Sequence, residues 1–333
     1  MGNWIRNRAK LAMDYLAIKV SQRIEHRLSD VIKSQLDSQL NAMRPYLTGG
    51  TSQTMVDSRA IAKAVPLTLN SGDSHIYFHN SDGHRFFLDA TDHHITLHVL
   101  EHGCWEDHIR DVIMQILKPG STFVDVGGNV GLHTLFAGSI VGQTGKVYSF
   151  EPVPHLYGTL RLNVDVNGMG NVIKTHQLAV SDTEEVKSFS KFRSHSAMSG
   201  FSVPQVRLDI FGESENSSVE VIQVNTVTLD KMFAGQKIDG LKIDVEGYET
   251  LVLRGAKEVI RNNRDIKLII EWDPFLVTRT LGSEAITENI AFLESERFIP
   301  YLALWQQPLR KVTWDEVSRL QGDLILTRTG SLR

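Results

Sequence analysis

The sequence predicts an α/β fold: a mostly parallel sheet with an antiparallel strand near the C-terminal end, preceded by a long N-terminal helical extension. Three observations lead there. From Thr122 onward, apolar strand-like runs alternate with helical stretches, as in a parallel sheet covered on both faces. Two late segments, 298–304 and 323–327, read as a strand pair. The stretch from Asn3 to Arg44 contains neither proline nor glycine and carries apolar residues at helical spacing.

Each element can be justified in turn. Residues 4–47 read as helix because Leu11, Tyr15 and Ile18, then Ile24, Leu28 and Val31, then Leu36, Leu40, Met43 and Leu47 recur at threes and fours, with phase slips between the blocks. Pro45 and Gly49-Gly50 end it. Such a stripe needs a partner, so residues 1–50 are expected to form a homo-oligomer, most simply a dimer. The alternative uses Arg6, Arg8, Lys10 and Lys19 beside Trp4 and Ile5 as a peripheral contact to anionic membrane. Residues 51–74 read as linker, and 75–333 as one catalytic domain. Within it, 75–78 and 85–88 are strands around the turn Asn80-Ser81-Asp82-Gly83, followed by a helix ending at Gly103 and another over 105–117. Strands are then expected at 122–126, 146–150, 172–180, 241–244 and 267–271. Helices are expected at 132–140, 156–167 and 248–261, with a polar insertion over 181–228.

Composition narrows the function. A net charge of −4 argues against a nucleic-acid binder, which needs a basic surface. A single cysteine, Cys104, rules out an internal disulfide and a cysteine-built zinc site, as suits a reducing cytoplasm. With no apolar run near 20 residues and no signal-peptide pattern, a soluble cytoplasmic protein is expected.

Two motifs carry the chemistry. In the first, Thr122 to Gly131, a strand enters a glycine turn and then a helix, so the backbone can approach a ligand closely. Val126 stands where a dinucleotide fingerprint needs glycine. Asp125 lies inside the strand, where it would repel a pyrophosphate but suits a cation such as the ammonium group of S-adenosylmethionine. Glu151 ends the next strand, twenty residues after Gly131, where a carboxylate can accept hydrogen bonds from both ribose hydroxyls. The second motif, Gly240 to Glu249, places Asp244 at the ligand edge of the fourth strand with Glu246 in the turn beyond. Both are candidates to deprotonate or orient a hydroxyl acceptor, although Glu246 could simply cap the next helix.

With these residues in hand, the sequence resembles the FkbM family of S-adenosylmethionine-dependent O-methyltransferases. The resemblance rests on Gly103-Cys104-Trp105-Glu106, Leu117 to Gly120, Phe123 to Gly131, Phe150-Glu151-Pro152, Leu178 to Asp182, Thr228-Leu229-Asp230, Leu241 to Glu249, Leu253 to Ala256 and Ile270-Glu271. It covers about residues 75–330 and implies a Rossmann-like class I methyltransferase sheet. It also implies that Asp125, Gly127, Gly128, Asn129 and Gly131 hold the methionine part of the cofactor. Glu151, followed by Pro152, would hold the ribose, and Ser181 and Asp182 would lie near adenine. Gly128 stands where many relatives carry alanine, a change expected to be harmless.

Weaker signals complete the reading. His195, in the insertion, is an alternative base, and Glu271 is expected to line the acceptor pocket. His94, His98 and His102 share a helical face but lack a zinc motif, so no metal is expected. The expected reaction is methylation of a sugar, glycan or other hydroxylated small molecule. An NAD-type oxidoreductase, disfavoured by Asp125 and Val126, and a non-catalytic scaffold are the alternatives.

Overall fold

The computed structural model describes residues 65–68, 74–89 apart from 81, 92, 95–192, 200–201, 219–330 apart from 306, and 332. The helix expected over residues 4–47, its oligomeric role and His195 lie outside the described residues. The chain divides into two units, residues 1–103 and 104–333.

In the first unit, β1 (Val65–Thr68), β2 (Ser74–His79) and β3 (Arg85–Asp89) form an antiparallel sheet, followed by helix α1 (Ile95–His102). The β2–β3 hairpin closes through Asn80, whose side-chain oxygen accepts from the amides of Asp82 (3.1 Å) and His84 (2.9 Å). β1 corrects the expectation of a linker over 51–74: Val65-Pro66-Leu67-Thr68 is too short to show periodicity and becomes a strand by pairing with β2.

The second unit begins with helix α2 (Asp107–Ile116), which buries Ile109, Val112, Ile113 and Ile116 on one face. Its eight-stranded sheet has the order β13-β12-β14-β11-β10-β4-β5-β6. Strands β4 (Thr122–Val126), β5 (Lys146–Phe150), β6 (Ile173–His176), β10 (Gly240–Ile243) and β11 (Lys267–Trp272) are parallel. Then β14 (Gly322–Thr327) inserts antiparallel between β11 and β12 (Ile299–Ala303), and β13 (Arg310–Lys311) forms the edge. Helices α3 (Leu132–Val141) and α4 (Pro154–Val166) follow β4 and β5. The short helix α5 (Leu229–Met232) precedes β10. After β10 come α6 (Glu249–Arg254) and α7 (Lys257–Asn262). After β11 come α8 (Pro274–Leu281) and α9 (Ser283–Ser295), and α10 (Trp314–Val317) precedes β14. The core is built on β4, β10, β11 and β14 and includes the fully buried Trp272, whose indole N–H donates to the Val317 carbonyl at 2.8 Å.

Two expected elements break where the chain changes partners. The strand expected over 172–180 splits into β6 and β7 (Ala179–Val180), and β7 pairs with β9 (Val219–Val227) in a separate sheet that also holds β8 (Val186–Phe192). The helix expected over 248–261 splits at Gly255-Ala256 into α6 and α7. Chain order runs outward from β4 through β5 to β6, then returns to β10 on the other side of β4. The carboxyl ends of β4 and β10 therefore flank the reversal at which open α/β sheets bind ligands.

Candidate active site

The two sequence motifs meet main chain on main chain. The amide of Asp244 donates to the Val126 carbonyl at 3.1 Å, while those of Gly127 and Gly128 both donate to the Phe150 carbonyl, at 3.0 and 2.9 Å. Gly127 has φ +86, and a Cβ there would stand 1.9 Å from the Asp244 carbonyl oxygen. The close approach thus needs glycine for both conformation and space. At Gly128 a Cβ would lie 2.0 Å from the Oγ of buried Ser149, whose hydroxyl fills the space that an alanine methyl would take.

Asp125 is 1% exposed. Its Oδ2 accepts from Thr134 Oγ1 at 2.5 Å, and Thr134 in turn meets Ser149 Oγ at 2.9 Å. Its Oδ1 is buried with no hydrogen-bond partner. A buried carboxylate oxygen left without a donor is costly, and a bound donor would relieve that cost. Glu151 is pinned by the backbone: Oε2 accepts from the Asn129 amide at 3.0 Å and Oε1 from the Val153 amide at 2.9 Å. Burial pushes its carboxyl up to about 7, against the pull of those two amides and aided by the charges of Asp125 and Asp244. Pro152 is half-buried between these anchors.

Ser181 is buried, its amide donating to the Val227 carbonyl at 2.9 Å and its hydroxyl to Asp182 at 3.2 Å. Lys187, 3.7 Å away, and Arg254, 3.8 Å away, balance the charge of Asp182. Gly131 has φ +94 and leads into α3, whose residue His133 closes a further pair described below.

At the end of β10, Asp244 is ion-paired through Oδ2 with Nζ of Lys242 at 2.7 Å. Lys242 is 4% exposed and sits in register beside Asp125 on β4. Burial works against its charge, but Asp244, Asp125 and Glu106 together hold its pKa above the ordinary lysine value. Asp244, Glu246 and Glu271 form a half-buried group whose carboxylate oxygens lie within 4.8 Å of one another. Among the described residues this trio has the spacing to hold a cation, whereas the tilted rings of His98 and His102 lie 4.4 Å apart on α1. Burial, and repulsion from Glu246, Asp244 and Glu249, push the Glu271 carboxyl well above its ordinary value. Glu246 has φ 57 in the turn, but the carboxylate that binds the turn's amides is Glu249. Its Oε1 accepts from Gly247 at 3.0 Å and from Val245 at 3.3 Å. Burial raises Glu249 to about 7, helped by Asp244 and opposed by those amides.

The structure adds residues that the sequence reading did not assign to the site. Glu106 pairs with His133 at 3.0 Å. Although burial opposes its charge, His133, Lys242 and His108 hold it down at about 2. His108 on α2 pairs with Asp323 on β14 at 2.8 Å. For Lys242 a signal was present, since a lysine inside the run Leu241-Lys242-Ile243 of a buried parallel strand requires a charged partner. For the two histidine pairs no spacing rule applies, because their members lie 27 and 215 positions apart.

The chain is similar to known methyltransferases. The model of the Methyltransferase FkbM domain family matches residues 125–299, more than half of the chain. A methyltransferase of Sordaria araneosa, sdnD, is 26% identical over 213 residues, 56% of this chain and 78% of its own. The 31-O-demethyl-FK506 methyltransferase FkbM of Streptomyces tacrolimicus is 27% identical over 165 residues, 43% of this chain, and the match spans 62% of that relative's length. Among solved structures, Methyltransferase FkbM from Methylobacillus flagellatus KT is similar over 72% of this chain and 55% of that one, at 14% identity and a TM-score of 0.38.

Proposed function

The chain belongs to the FkbM methyltransferase family, and from that premise we propose that it is an S-adenosylmethionine-dependent O-methyltransferase acting on a hydroxyl of a sugar, glycan or other hydroxylated small molecule. The observation that carries the reading is the buried, unpartnered Oδ1 of Asp125 beside the glycine turn. An ammonium group supplies the missing donor and the opposite charge. The pyrophosphate of a dinucleotide would meet Asp125 and Asp244 instead, which disfavours the oxidoreductase alternative. Each Glu151 oxygen accepts one amide and keeps a lone pair for a ribose hydroxyl.

On this reading Asp125, Gly127, Gly128, Asn129 and Gly131 hold the methionine end, Glu151 the ribose, and Ser181 with Asp182 the adenine. The bound cofactor supplies a methyl group on a positively charged sulfur. Asp244, ion-paired with Lys242, orients the acceptor, while Glu246 and Glu271 line its pocket. Calorimetry with S-adenosylmethionine tests the cofactor half. The wild type should bind, and Glu151→Ala should weaken binding by about 1.5–3 kcal/mol, the range for hydrogen bonds to a charged group. Equal affinity would remove Glu151 from the site, and a wild type that does not bind would overturn the reading. Mass spectrometry of acceptor mixtures incubated with methyl-labelled cofactor tests the other half.

A further inference from the structure

Asp323 is the second residue of β14, in register opposite Glu271 on β11 and Ala303 on β12. This puts it at the same end of the sheet as Asp244. Its Oδ2 is bound by Nε2 of His108 at 2.8 Å, with side-chain exposures of 20% and 14%. Its Oδ1 takes no hydrogen bond from any described residue and is not among the buried unpartnered oxygens. Of the other carboxylates nearby, Asp244 is engaged by Lys242, Glu106 by His133, and Glu151 and Glu249 by backbone amides, while Glu246 and Glu271 belong to the trio with Asp244. The half-exposed ring of Trp305 lies 5.9 Å from that of His108 and gives the pair an aromatic neighbour.

We propose that Asp323, held in place by His108, takes the proton of the acceptor hydroxyl, and that the acceptor is uncharged or cationic. As the acceptor oxygen bonds to the methyl carbon, the carbon–sulfur bond of S-adenosylmethionine breaks and its electron pair stays on sulfur. The hydroxyl proton passes to Asp323 Oδ1, so charge balances. His108 is a positioning residue that fixes the carboxylate through its other oxygen. The crowd of carboxylates around it (Glu106, Asp244 and Glu246) repels an anionic acceptor such as a sugar phosphate. The groups bearing on Asp323 are His108 on α2, Glu106 before α2 and Asp244 after β10. Those bearing on His108 are Asp323, Glu106 and Asp107 of its own helix. Burial holds the Asp323 carboxyl above its ordinary value, and the bond from His108 works in the opposite direction.

The proposal rests on the methyltransferase reading, so the test first measures S-adenosylmethionine binding by calorimetry on the full chain, its Asp323→Asn variant and its His108→Gln variant. Methyl-labelled cofactor is then offered with glycerol, inositol and methyl glucoside as uncharged hydroxyl compounds, and with glucose 6-phosphate as the anionic one. The wild type should label an uncharged compound and spare the phosphate. Asp323→Asn should bind cofactor as the wild type does but transfer about 100-fold more slowly or worse, the scale of a lost general base. His108→Gln should keep part of the rate, with the rising limb of its kcat–pH profile moved to higher pH because Asp323 loses the charge of His108, which lowers its pKa. A merely structural role would lower the rate without moving that limb. Should Asp323→Asn fail to fold and lose cofactor binding, the limb in His108→Gln decides alone. A wild type that binds cofactor yet labels none of the uncharged compounds overturns the proposal and leaves the cofactor reading standing. So does an Asp323→Asn enzyme within threefold of wild type, or an unmoved limb in His108→Gln. A wild type that does not bind cofactor overturns both.

Discussion

Replacing Gly127 by alanine would place a Cβ 1.9 Å from the carbonyl oxygen of Asp244. An ordinary carbon–oxygen contact is about 3.3 Å, so roughly 1.4 Å of separation must be found between two main chains. Neither side yields easily, because the amides of Gly127 and Asp244 are both committed to carbonyls in the sheet. The left-handed φ of +86 adds about 1–2 kcal/mol for any residue with a Cβ. Overpacking of this kind adds about 1–3 kcal/mol. The sum, about 2–5 kcal/mol, lowers the melting temperature of a unit this size by about 4–20 °C. Gly168→Ala is the matched control: its φ is +66, but a Cβ there would meet nothing within 4 Å, so it isolates the conformational part. Thermal melts and cofactor calorimetry on both variants separate the contributions. Gly127→Ala should melt well below Gly168→Ala and lose cofactor affinity, while Gly168→Ala should bind as the wild type does. Equal melting and equal affinity would refute the idea that this contact joins the two motifs.

Two further outcomes follow from the buried charges. Glu249 titrates near 7 in the folded chain against an ordinary 4.5. The folded state therefore keeps a proton that the unfolded chain has lost, and stability falls as pH rises across that window. Glu249→Gln should melt like the wild type near pH 4.5 and above it at pH 8, by up to about 3 kcal/mol. Parallel melting curves at both pH values would show that Glu249 does not titrate there. Asp244→Asn strips buried Lys242 of its closest partner and should cost about 3 kcal/mol, most of it recovered by adding Lys242→Met. An Asp244→Asn variant as stable as wild type would mean that Asp125 and Glu106 suffice to hold the ammonium.

The parallel strands β4, β5, β10 and β11 were legible because each is an apolar run followed by glycine or acid, and β4 and β5 fall within the expected bounds. Asp125, Glu151 and Asp244 were legible for a related reason, since parallel strands converge their carboxyl ends on one edge. What could not be read depends on partners rather than pattern. The short β1 exists through its pairing with β2. The 172–180 run parts between two sheets. Ser149, whose hydroxyl fills the space beside Gly128, sits in a strand whose sequence does not say what it faces. The histidine pairs join α2 to β14 and the turn before α2 to α3, contacts that appear only once the chain has folded.

The placement of β14 has a consequence for how the chain is made. It lies between β11 and β12, both of which precede it in sequence. Until residues 322–327 have left the ribosome, β11 and β12 each present an unpaired strand edge, and the gap between them is the width of one strand. Emerging strand edges of this kind are where nascent chains stick to one another or are captured by chaperones. Pairing across that gap closes both edges in one event and delivers Asp323 to the end of the sheet at the same moment. The protection of β11 and β12 from association and the arrival of Asp323 beside His108 are therefore a single step in the life of the polypeptide.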